Sequence, residues 1–177
     1  MSVKTVCLGW HWMPYRYSRN ADDADGASVS AFPAWLGTMG RQAVAAAYPD
    51  SGWADAYDPD VALVNFYDGS AHMGMHQDKD ERSAAPVVSL SIGDSCTFRF
   101  GNAAGRGRPY QDLTLVSGDL FVFGGASRLA YHGVPKTFTG TGDGLATGLG
   151  PGRLNITLRE TGLRETGLRD TDPRATR

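Results

Sequence analysis

The segment His76-Gln77-Asp78 places an imidazole and a carboxylate two positions apart. On an extended chain, side chains at this spacing point to the same side, so this pair could share one metal ion. His132, at the end of the strand-like segment SRLAYH, is the candidate for a third ligand from a facing strand. The triplet alone is a weak indication, because histidine and aspartate fall at this spacing by chance in many proteins.

A second polar group lies in the segment RLNITLR, which runs from Arg153 to Arg159. Strand alternation sends four polar residues to one face: Arg153, Asn155, Thr157 and Arg159. Two guanidiniums on the inner face of a β-sandwich are costly unless an anion meets them. A dicarboxylate cosubstrate would supply that anion, and two histidines with one carboxylate leave three metal positions open, as in non-haem Fe(II) oxygenases.

The composition predicts one β-rich domain without a membrane span. The 177 residues are 41% hydrophobic and include 23 glycines, which is too apolar for a disordered chain and favours turns and short strands. No run of about 18 apolar residues occurs. Cys7 and Cys96 do not indicate a disulfide framework, and the first nine residues lack a secretory apolar region, so we expect a cytoplasmic protein.

The overall charge does not indicate nucleic-acid binding, since 17 lysines and arginines stand against 19 aspartates and glutamates, a net charge of −2. Any such contact must therefore be local. Arg99, Arg106 and Arg108 lie in a stretch without acidic residues that reads as a loop between strands. A solvated turn and a phosphate contact fit this loop equally well.

The elements that must position these residues are mostly strands. One helix is predicted to follow a Ser30 cap, with Pro33 in its first turn and an end at Tyr48-Pro49. The predicted strands are short and β-prone: 61–67, 86–92, 96–100, 112–116, 120–123 and 154–159. This pattern predicts a mainly β fold with a few helices, either a sandwich or a double-stranded β-helix, the jelly roll.

Two segments are predicted to be irregular. Residues 137–152 read as a loop rich in glycine and threonine, and residues 160–177 repeat the unit RETGL. We therefore expect a domain over residues 1–159 and a repetitive, disordered tail over 160–177.

The motifs NFY, HQDKDE, SRLAYHG and RLNITLR occur in an order that closely resembles the AlkB family of Fe(II)- and 2-oxoglutarate-dependent dioxygenases. The resemblance runs from about Cys7 to Arg159. It implies a double-stranded β-helix and the oxidative demethylation of alkylated bases in DNA or RNA, such as 1-methyladenine and 3-methylcytosine. The cofactors it implies are Fe(II), 2-oxoglutarate and O₂, with succinate, CO₂ and formaldehyde as products.

The resemblance also implies a role for individual residues. The iron ligands would be His76, Asp78 and His132. The 2-oxoglutarate pocket would comprise Asn65, Tyr67, Arg153, Asn155 and Arg159. In that pocket Arg153 would pair with the distal carboxylate of the cosubstrate, and Arg159 would neutralise the carboxylate nearer the metal.

On the substrate side, the resemblance implies that Trp10 stacks on a flipped base and that Tyr15 contacts backbone phosphate. Asp80 would suit the positive charge of 1-methyladenine and 3-methylcytosine. Arg106 would line the base pocket, although Arg108 in the same loop could take that role instead. We expect alkylated nucleic acid as the partner, no membrane, and a monomer.

Family members usually carry several dozen residues before their equivalent of CLGW, whereas here this motif begins at Cys7. The sequence therefore predicts a truncated N-terminal nucleotide-recognition lid and exposed core surface. An alternative function is an Fe(II)- and 2-oxoglutarate-dependent hydroxylase acting on a small molecule or a protein side chain. The retained Trp10, Tyr15 and Asp80 speak against this alternative.

Overall fold

Antiparallel strands dominate the computed structural model, which describes residues 3–144, 148 and 150–163. The strands of this part of the chain are β1 (Lys4–Leu8), β2 (His11–Met13), β3 (Arg16–Ser18), β4 (Val61–Tyr67), β5 (Met73–His76), β6 (Val87–Gly93), β7 (Ser95–Phe100), β8 (Gln111–Leu115), β9 (Leu120–Phe123), β10 (His132–Phe138) and β11 (Arg153–Arg159). The helices are α1 (Ala34–Ala47) and α2 (Trp53–Ala56), and a 3-10 turn spans Gly125–Ser127. The predicted mainly β class with a few helices is confirmed.

Two sheets form the jelly roll. A five-stranded sheet has the order β1-β4-β11-β6-β9, and a four-stranded sheet has the order β5-β10-β7-β8. Aromatic rings join the two sheets: Phe98 lies 4.8 Å from Phe121, and Phe100 lies 5.5 Å from Phe123, between ring centroids. Strands β2 and β3 form a separate hairpin. Beside this aromatic cluster, a cavity remains between the two sheets. Polar residues from both sheets line it.

Strand β11 lies in the middle of the five-stranded sheet, paired with β4 on one side and β6 on the other. Its polar residues face inward as predicted, while Ile156 and Leu158 face outward and pack under α1 against Leu36 and Val44. At Gly40 the helix comes so close to the sheet that an added Cβ would lie 3.1 Å from Leu158. Helix α1 thereby covers the outer face of the sheet whose inner face carries the polar residues.

The predicted helix is confirmed, but the predicted cap is wrong. Helix α1 starts directly after Pro33 and has no side-chain cap, and the backbone carbonyl of Ser30 instead accepts a hydrogen bond from the Gly9 N–H. Pro33 lies one position before the predicted first turn, as the N-cap residue in extended backbone, and its carbonyl accepts from the Leu36 N–H at 3.0 Å. The last helical residue is Ala47, and Tyr48 is the C-cap, so the predicted end at Tyr48-Pro49 is confirmed.

The strand-like interpretation of SRLAYH is wrong. The Ala130 N–H donates to the Ser127 carbonyl, so this stretch is a turn, and His132 is the first residue of β10 rather than the end of a strand. The side chain of Arg128 points inward to the carbonyls of Ala85 and Asp78, which takes it out of any strand alternation. Strand β10 also extends to Phe138, into the predicted irregular segment.

The packed chain continues four residues beyond Arg159. Thr161 is fully buried, and both its N–H and its hydroxyl donate to the carboxylate of Asp60. Leu163 packs against the cluster that contains Trp10. Residues 164–177 of the predicted tail, and residues 145–147 and 149 of the predicted loop, lie outside the described residues. Among the residues that are described, no helix is long and apolar enough to cross a membrane.

Gly133 controls how closely β5 approaches β10 beside the predicted metal site. A Cβ at this position would lie 2.7 Å from the Met73 carbonyl oxygen and 2.9 Å from that of Gly74. We predict that Gly133→Ala pushes β5 away, displaces His76 from His132, and raises the Kd for Mn(II) by about tenfold or more. Loss of the free Mn(II) paramagnetic resonance signal during titration measures this Kd.

Gly74→Ala is the matched control for this variant, because a Cβ there meets nothing within 4 Å. It should bind Mn(II) with the Kd of the unaltered protein. Equal Kd values for Gly133→Ala and Gly74→Ala would show that the close approach at Gly133 does not set the position of His76.

Candidate metal centre and cosubstrate pocket

Strand pairing brings His76 and His132 together. His76 is the last residue of β5 and lies directly opposite His132, the first residue of β10. Their ring centroids are 4.5 Å apart. The Asp78 carboxylate lies between them, with Oδ1 3.6 Å from His76 Nε2 and Oδ2 3.6 Å from His132 Nε2. The three predicted ligands therefore converge, with their ligand atoms within 4.8 Å of one another.

Backbone carbonyls fix both imidazoles in the orientation that a metal requires. His76 Nδ1 lies 3.0 Å from the Gly74 carbonyl, and His132 Nδ1 lies 3.0 Å from the Ala130 carbonyl. Because a carbonyl only accepts, each Nδ1 carries the proton and each Nε2 presents a lone pair toward Asp78. This second hydrogen bond is the usual support of a metal-binding histidine.

The charges at the site favour the ligating forms of these groups. Burial lowers the pKa of His132, although the Asp78 carboxylate opposes this effect, so the imidazole is neutral at pH 7. Burial acts to raise the pKa of Asp78, but the Arg159 guanidinium and the two imidazoles outweigh it and hold that pKa below its ordinary value. A neutral imidazole beside an ionised carboxylate is ready to bind a cation without releasing a proton.

The residues present fit a divalent metal. Asp78 Oδ2 is buried and has no hydrogen-bond partner among the described residues, so a bound cation would satisfy an otherwise costly acceptor. Two nitrogens and one carboxylate oxygen with an adjoining cavity match the donor set of non-haem Fe(II) sites. The cavity has an empty volume of about 800 Å³ including its mouth.

The cavity contains a buried positive charge without a counterion. Arg153 is 1% exposed, and its Nη2 donates to the Ser91 hydroxyl at 3.0 Å. Its Nε and Nη1 have no hydrogen-bond partner, and no carboxylate of the described chain pairs with it. A guanidinium in this state is costly, so the site calls for an anion with two acceptor atoms. The Tyr67 ring lies beside it, with the centroid 5.9 Å from the guanidinium carbon.

Two asparagine amides line the same cavity in fixed orientations. Asn65 Oδ1 accepts a hydrogen bond from the Thr5 hydroxyl at 2.8 Å. Asn155 donates to the Ser89 hydroxyl at 2.6 Å and accepts from the Thr157 hydroxyl at 2.9 Å. The predicted pocket residues Asn65, Tyr67, Arg153, Asn155 and Arg159 all lie on this cavity together with the three candidate metal ligands.

Arg159 is engaged by the chain's own carboxylates. Its Nη2 donates to Asp78 Oδ1 at 2.6 Å, and its Nη1 donates to Glu81 Oε1 at 3.0 Å. Of its donors, Nε alone lacks a hydrogen-bond partner within the described ranges. The two arginines of β11 thus differ, because Arg159 holds the metal-site carboxylate while Arg153 still lacks an anion.

The structure does not bring Trp10 to this cavity. Its buried indole donates to Asp60 at 3.1 Å and lies under the Arg19 guanidinium, 3.6 Å from the ring centroid, in a separate cleft. Trp12, in strand β2 of the hairpin, lines the cavity instead, and its indole N–H donates to Asp80 Oδ2 at 2.8 Å. Trp12 and Asp80 therefore line this cavity together, whereas Trp10 does not.

The other predicted substrate residues lie outside the cavity. Tyr15 is 84% exposed at the turn of the β2–β3 hairpin. Arg106 lies over the Tyr131 ring and Arg108 over the Tyr110 ring, at 5.9 and 5.0 Å from the centroids. Since Tyr131 directly precedes His132, this basic loop stands beside the candidate metal centre rather than inside the pocket.

Comparison with known proteins agrees with this geometry. The family model for the 2OG-Fe(II) oxygenase superfamily matches residues 1–159. The Escherichia coli (strain K12) protein named alpha-ketoglutarate-dependent dioxygenase AlkB is 37% identical over 163 residues, covering 88% of this chain and 68% of that protein. The chain belongs to the AlkB family of 2OG-Fe(II) oxygenases. Fe(II), 2-oxoglutarate and O₂ are the cofactors of this family.

Two further relatives extend the comparison. An Arabidopsis thaliana protein named DNA N(6)-methyladenine demethylase ALKBH1C is 37% identical over 180 residues, covering 90% of this chain. The chain spans only 39% of that protein's length. A solved structure, that of OsALKBH1, is 33% identical, covers 90% of this chain and 79% of its own, and superposes with a TM-score of 0.77. The jelly roll of this AlkB-family chain is therefore also that of a solved relative.

The sequence did not predict the positions of two side chains at or behind this cavity, Trp12 and Glu81. Trp12 is two positions after Trp10, so it was an alternative candidate for an inward-facing aromatic residue. Strand β2 has only three residues, and the packing of the hairpin decides which of its side chains face the cavity. Glu81 follows Asp78 in HQDKDE and reads as an exposed acidic turn, yet its side chain is fully shielded and bound to two arginines. The burial of Glu81 could have been inferred from Arg128 and Arg159, because two arginines that point into the protein require buried carboxylates as partners.

The unpaired guanidinium leads to a prediction of opposite effects on stability and binding. Arg153→Met removes a buried charge that has no counterion, so the free energy of unfolding without ligands should rise by about 1 kcal/mol or more. The same change should weaken 2-oxoglutarate binding about 100-fold, because two charge-assisted hydrogen bonds are lost. Urea unfolding and calorimetric titration in the presence of Mn(II) measure the two quantities.

Arg153→Lys is the control, because it keeps the charge but not the planar two-donor fork. It should leave stability near that of the unaltered protein and weaken binding less than Arg153→Met. Unchanged 2-oxoglutarate affinity in Arg153→Met would contradict the assignment of this cavity to the cosubstrate.

Proposed function

We propose that this chain is an oxidative demethylase of alkylated nucleobases in DNA or RNA. The observation that carries the proposal is one cavity that holds both a convergent His76, Asp78 and His132 cluster and an unpaired Arg153 guanidinium. A site for a metal alone would not need the buried cation, and a site for an anion alone would not need the three ligands. Together they fit an iron enzyme with a dicarboxylate cosubstrate.

The proposed reaction is the hydroxylation of an N-alkyl carbon. Bound Fe(II) supplies the activation of O₂: one oxygen atom enters the alkyl group, and the other enters succinate as 2-oxoglutarate loses CO₂. The N-hydroxymethyl product then breaks its C–N bond, releasing formaldehyde and the unmodified base. O₂ takes up four electrons in this reaction. Two come from oxidation of the N-alkyl carbon, and two come from the oxidative decarboxylation of 2-oxoglutarate.

The chain's own residues bind and orient the reactants in this scheme. His76, Asp78 and His132 would hold the iron through Nε2 and carboxylate oxygen atoms, with each Nδ1 proton kept on a backbone carbonyl. Arg153 would clamp the distal carboxylate of 2-oxoglutarate, and Tyr67 beside it would add a hydroxyl donor. Arg159, which already donates to Asp78, would also neutralise the 2-oxoglutarate carboxylate nearer the metal.

The mouth of the cavity supports a cationic base as substrate. Trp12 offers an aromatic face there, and its indole N–H holds the Asp80 carboxylate in place at 2.8 Å. A fixed carboxylate favours the positively charged rings of 1-methyladenine and 3-methylcytosine over neutral bases. The Arabidopsis relative is named for N(6)-methyladenine, a neutral base, so the choice between the two lesion classes is the finer part of this proposal.

Exposed residues around the mouth support a contact with the nucleic-acid backbone. Arg106 and Arg108 are exposed, and both stack on tyrosine rings, which gives the basic loop cationic and aromatic surface together. Arg99, by contrast, is neutralised by a two-pronged ion pair with Asp112 at 2.7 Å. Tyr15 stands exposed on the hairpin. We propose that these residues meet phosphates, which lets a chain of net charge −2 approach DNA or RNA.

The domain division at residue 159, the monomeric state and the cytoplasmic location remain predictions. Two free, buried thiols, Cys7 and Cys96, are compatible with a reducing compartment. Within the predicted tail, Thr161 is buried and Leu163 packs against the cluster around Trp10.

The direct test is mass spectrometry of oligonucleotides that carry one modified base. With Fe(II), ascorbate and 2-oxoglutarate, the 1-methyladenine and 3-methylcytosine oligonucleotides should lose one methyl group, faster than an N(6)-methyladenine oligonucleotide. His76→Ala should show no loss, and it should lack the weak visible absorption band expected from anaerobic Fe(II) with 2-oxoglutarate. Succinate formation with every oligonucleotide intact would favour the small-molecule or protein hydroxylase instead.

The position of Trp12 leads to a separate prediction. Trp12→Ala should raise the KM for the methylated oligonucleotide about tenfold and leave kcat nearly unchanged, because a base loses its stacking partner. Trp35→Ala is the control, since Trp35 is 61% exposed on α1 and does not line the cavity. A KM that stays constant in Trp12→Ala would exclude Trp12 as the stacking residue.

A further inference from the structure

A buried ionic cluster lies directly behind the candidate metal centre. It consists of Tyr17, Asp78, Glu81, Arg128 and Arg159. Glu81 is at its middle: Oε2 accepts from Arg128 at 2.9 Å, and Oε1 accepts from Arg159 at 3.0 Å and from the Tyr17 hydroxyl at 2.5 Å. The Glu81 side chain is fully shielded from solvent and does not line the cavity.

We propose that Glu81 is a positioning residue for the metal site and that it ties the β2–β3 hairpin to that site through Tyr17. The inference rests on the proposed binding of a divalent metal by Asp78 and the two histidines. It concerns a residue that touches neither metal nor substrate and acts through Arg159.

The first step of the argument is the choice between the two oxygens of Asp78. Arg159 donates to Oδ1 at 2.6 Å, while Oδ2 is buried without a hydrogen-bond partner. Arg159 therefore occupies one oxygen and leaves the other for the metal. Glu81 holds Arg159 in this position from the other side, because its carboxylate accepts from Nη1.

The second step concerns charge. Two guanidiniums, Arg128 and Arg159, lie against two carboxylates, Asp78 and Glu81, so the cluster is balanced. Without the Glu81 charge, Arg128 would have no carboxylate partner among the described residues, because its contact with Asp78 is to the backbone carbonyl. Two buried guanidiniums would then lie near the Asp78 carboxylate, which must also bind a cation. Both effects, the freed Arg159 and the excess positive charge, weaken metal binding.

The third step links the hairpin to the cluster. Tyr17 lies on β3, and its hydroxyl donates to the same Glu81 oxygen that Arg159 uses. Trp12 on β2 reaches Asp80 in the same segment. The hairpin that carries the proposed stacking residue is thus fastened to residues 80 and 81, two and three positions past a metal ligand. A change in the order of the metal site is transmitted to the hairpin through these contacts.

Mn(II) titration tests the positioning role without any reaction. Glu81→Gln keeps the shape of the side chain and removes its charge, and it should raise the Kd for Mn(II) between about 10-fold and 100-fold. Asp50→Asn removes one exposed carboxylate beyond α1 and should leave the Kd unchanged. Thermal melting without metal must show that each variant is folded. A folded Glu81→Gln with the Kd of the unaltered protein overturns the proposal.

Hydrogen exchange tests the coupling between the metal site and the hairpin through Tyr17. It also tests the proposed contact of Glu81 with Tyr17 if Glu81→Gln does not fold. Mn(II) should slow amide exchange in residues 11–18 of the unaltered protein and of Tyr48→Phe, a control at the end of α1. In Tyr17→Phe the metal should still bind but slow exchange there less, because only the contact between Trp12 and Asp80 then joins the hairpin to this segment. Equal slowing in Tyr17→Phe, or no slowing in the unaltered protein, overturns the coupling.

These measurements separate this inference from the proposed function. If the unaltered protein fails to bind Mn(II), the metal centre itself is refuted. If it binds Mn(II) and Glu81→Gln binds equally well, only the role of Glu81 fails. A protein that binds Mn(II) but demethylates no oligonucleotide leaves the Glu81 result standing.

Discussion

The contrast between two arginines on one strand governs the rest of this site. Arg153 and Arg159 both point inward from β11, and each brings a charge into a region from which water is largely removed. The chain neutralises Arg159 itself, with Asp78 at 2.6 Å and Glu81 at 3.0 Å. For Arg153, the described part of the chain offers only the neutral hydroxyl of Ser91. A buried charge is costly without a counterion. The charge of Arg159 is therefore balanced by the protein, whereas that of Arg153 requires a bound anion.

The sheets explain why neither arginine can escape this constraint. Strand β11 is hydrogen-bonded along both edges, to β4 and β6, and its outer side chains are packed beneath α1. Its inward residues therefore have no freedom to swing toward solvent. The facing sheet supplies the two candidate metal-binding histidines, which lie opposite each other where β5 ends and β10 begins. Rigid strands on both sides hold the two half-sites in register, which is what a reaction between two bound molecules requires.

The parts predicted from sequence are those that follow from periodicity or residue type. The strand predicted over 61–67 is β4, and the alternation of β11 correctly assigned its inward residues, because both are regular, β-prone runs. Strands β5 and β10 were not recognised, since Gly74, Gly133 and Pro135 interrupt their patterns. The partners of Arg159 were missed for a related reason. Glu81 lies in an irregular turn, where only tertiary packing decides which side chain points inward.

Charge balance around the cavity links its two proposed ligands. Three carboxylates line or support it, Asp78, Asp80 and Glu81, and they match three guanidiniums, Arg128, Arg153 and Arg159. A divalent cation alone would leave this region strongly positive, and a dicarboxylate alone would leave it strongly negative. Both together restore the balance of the ligand-free protein. Each ligand therefore lowers the electrostatic cost of binding the other, a coupling that follows from the low dielectric between the sheets and requires no change of shape.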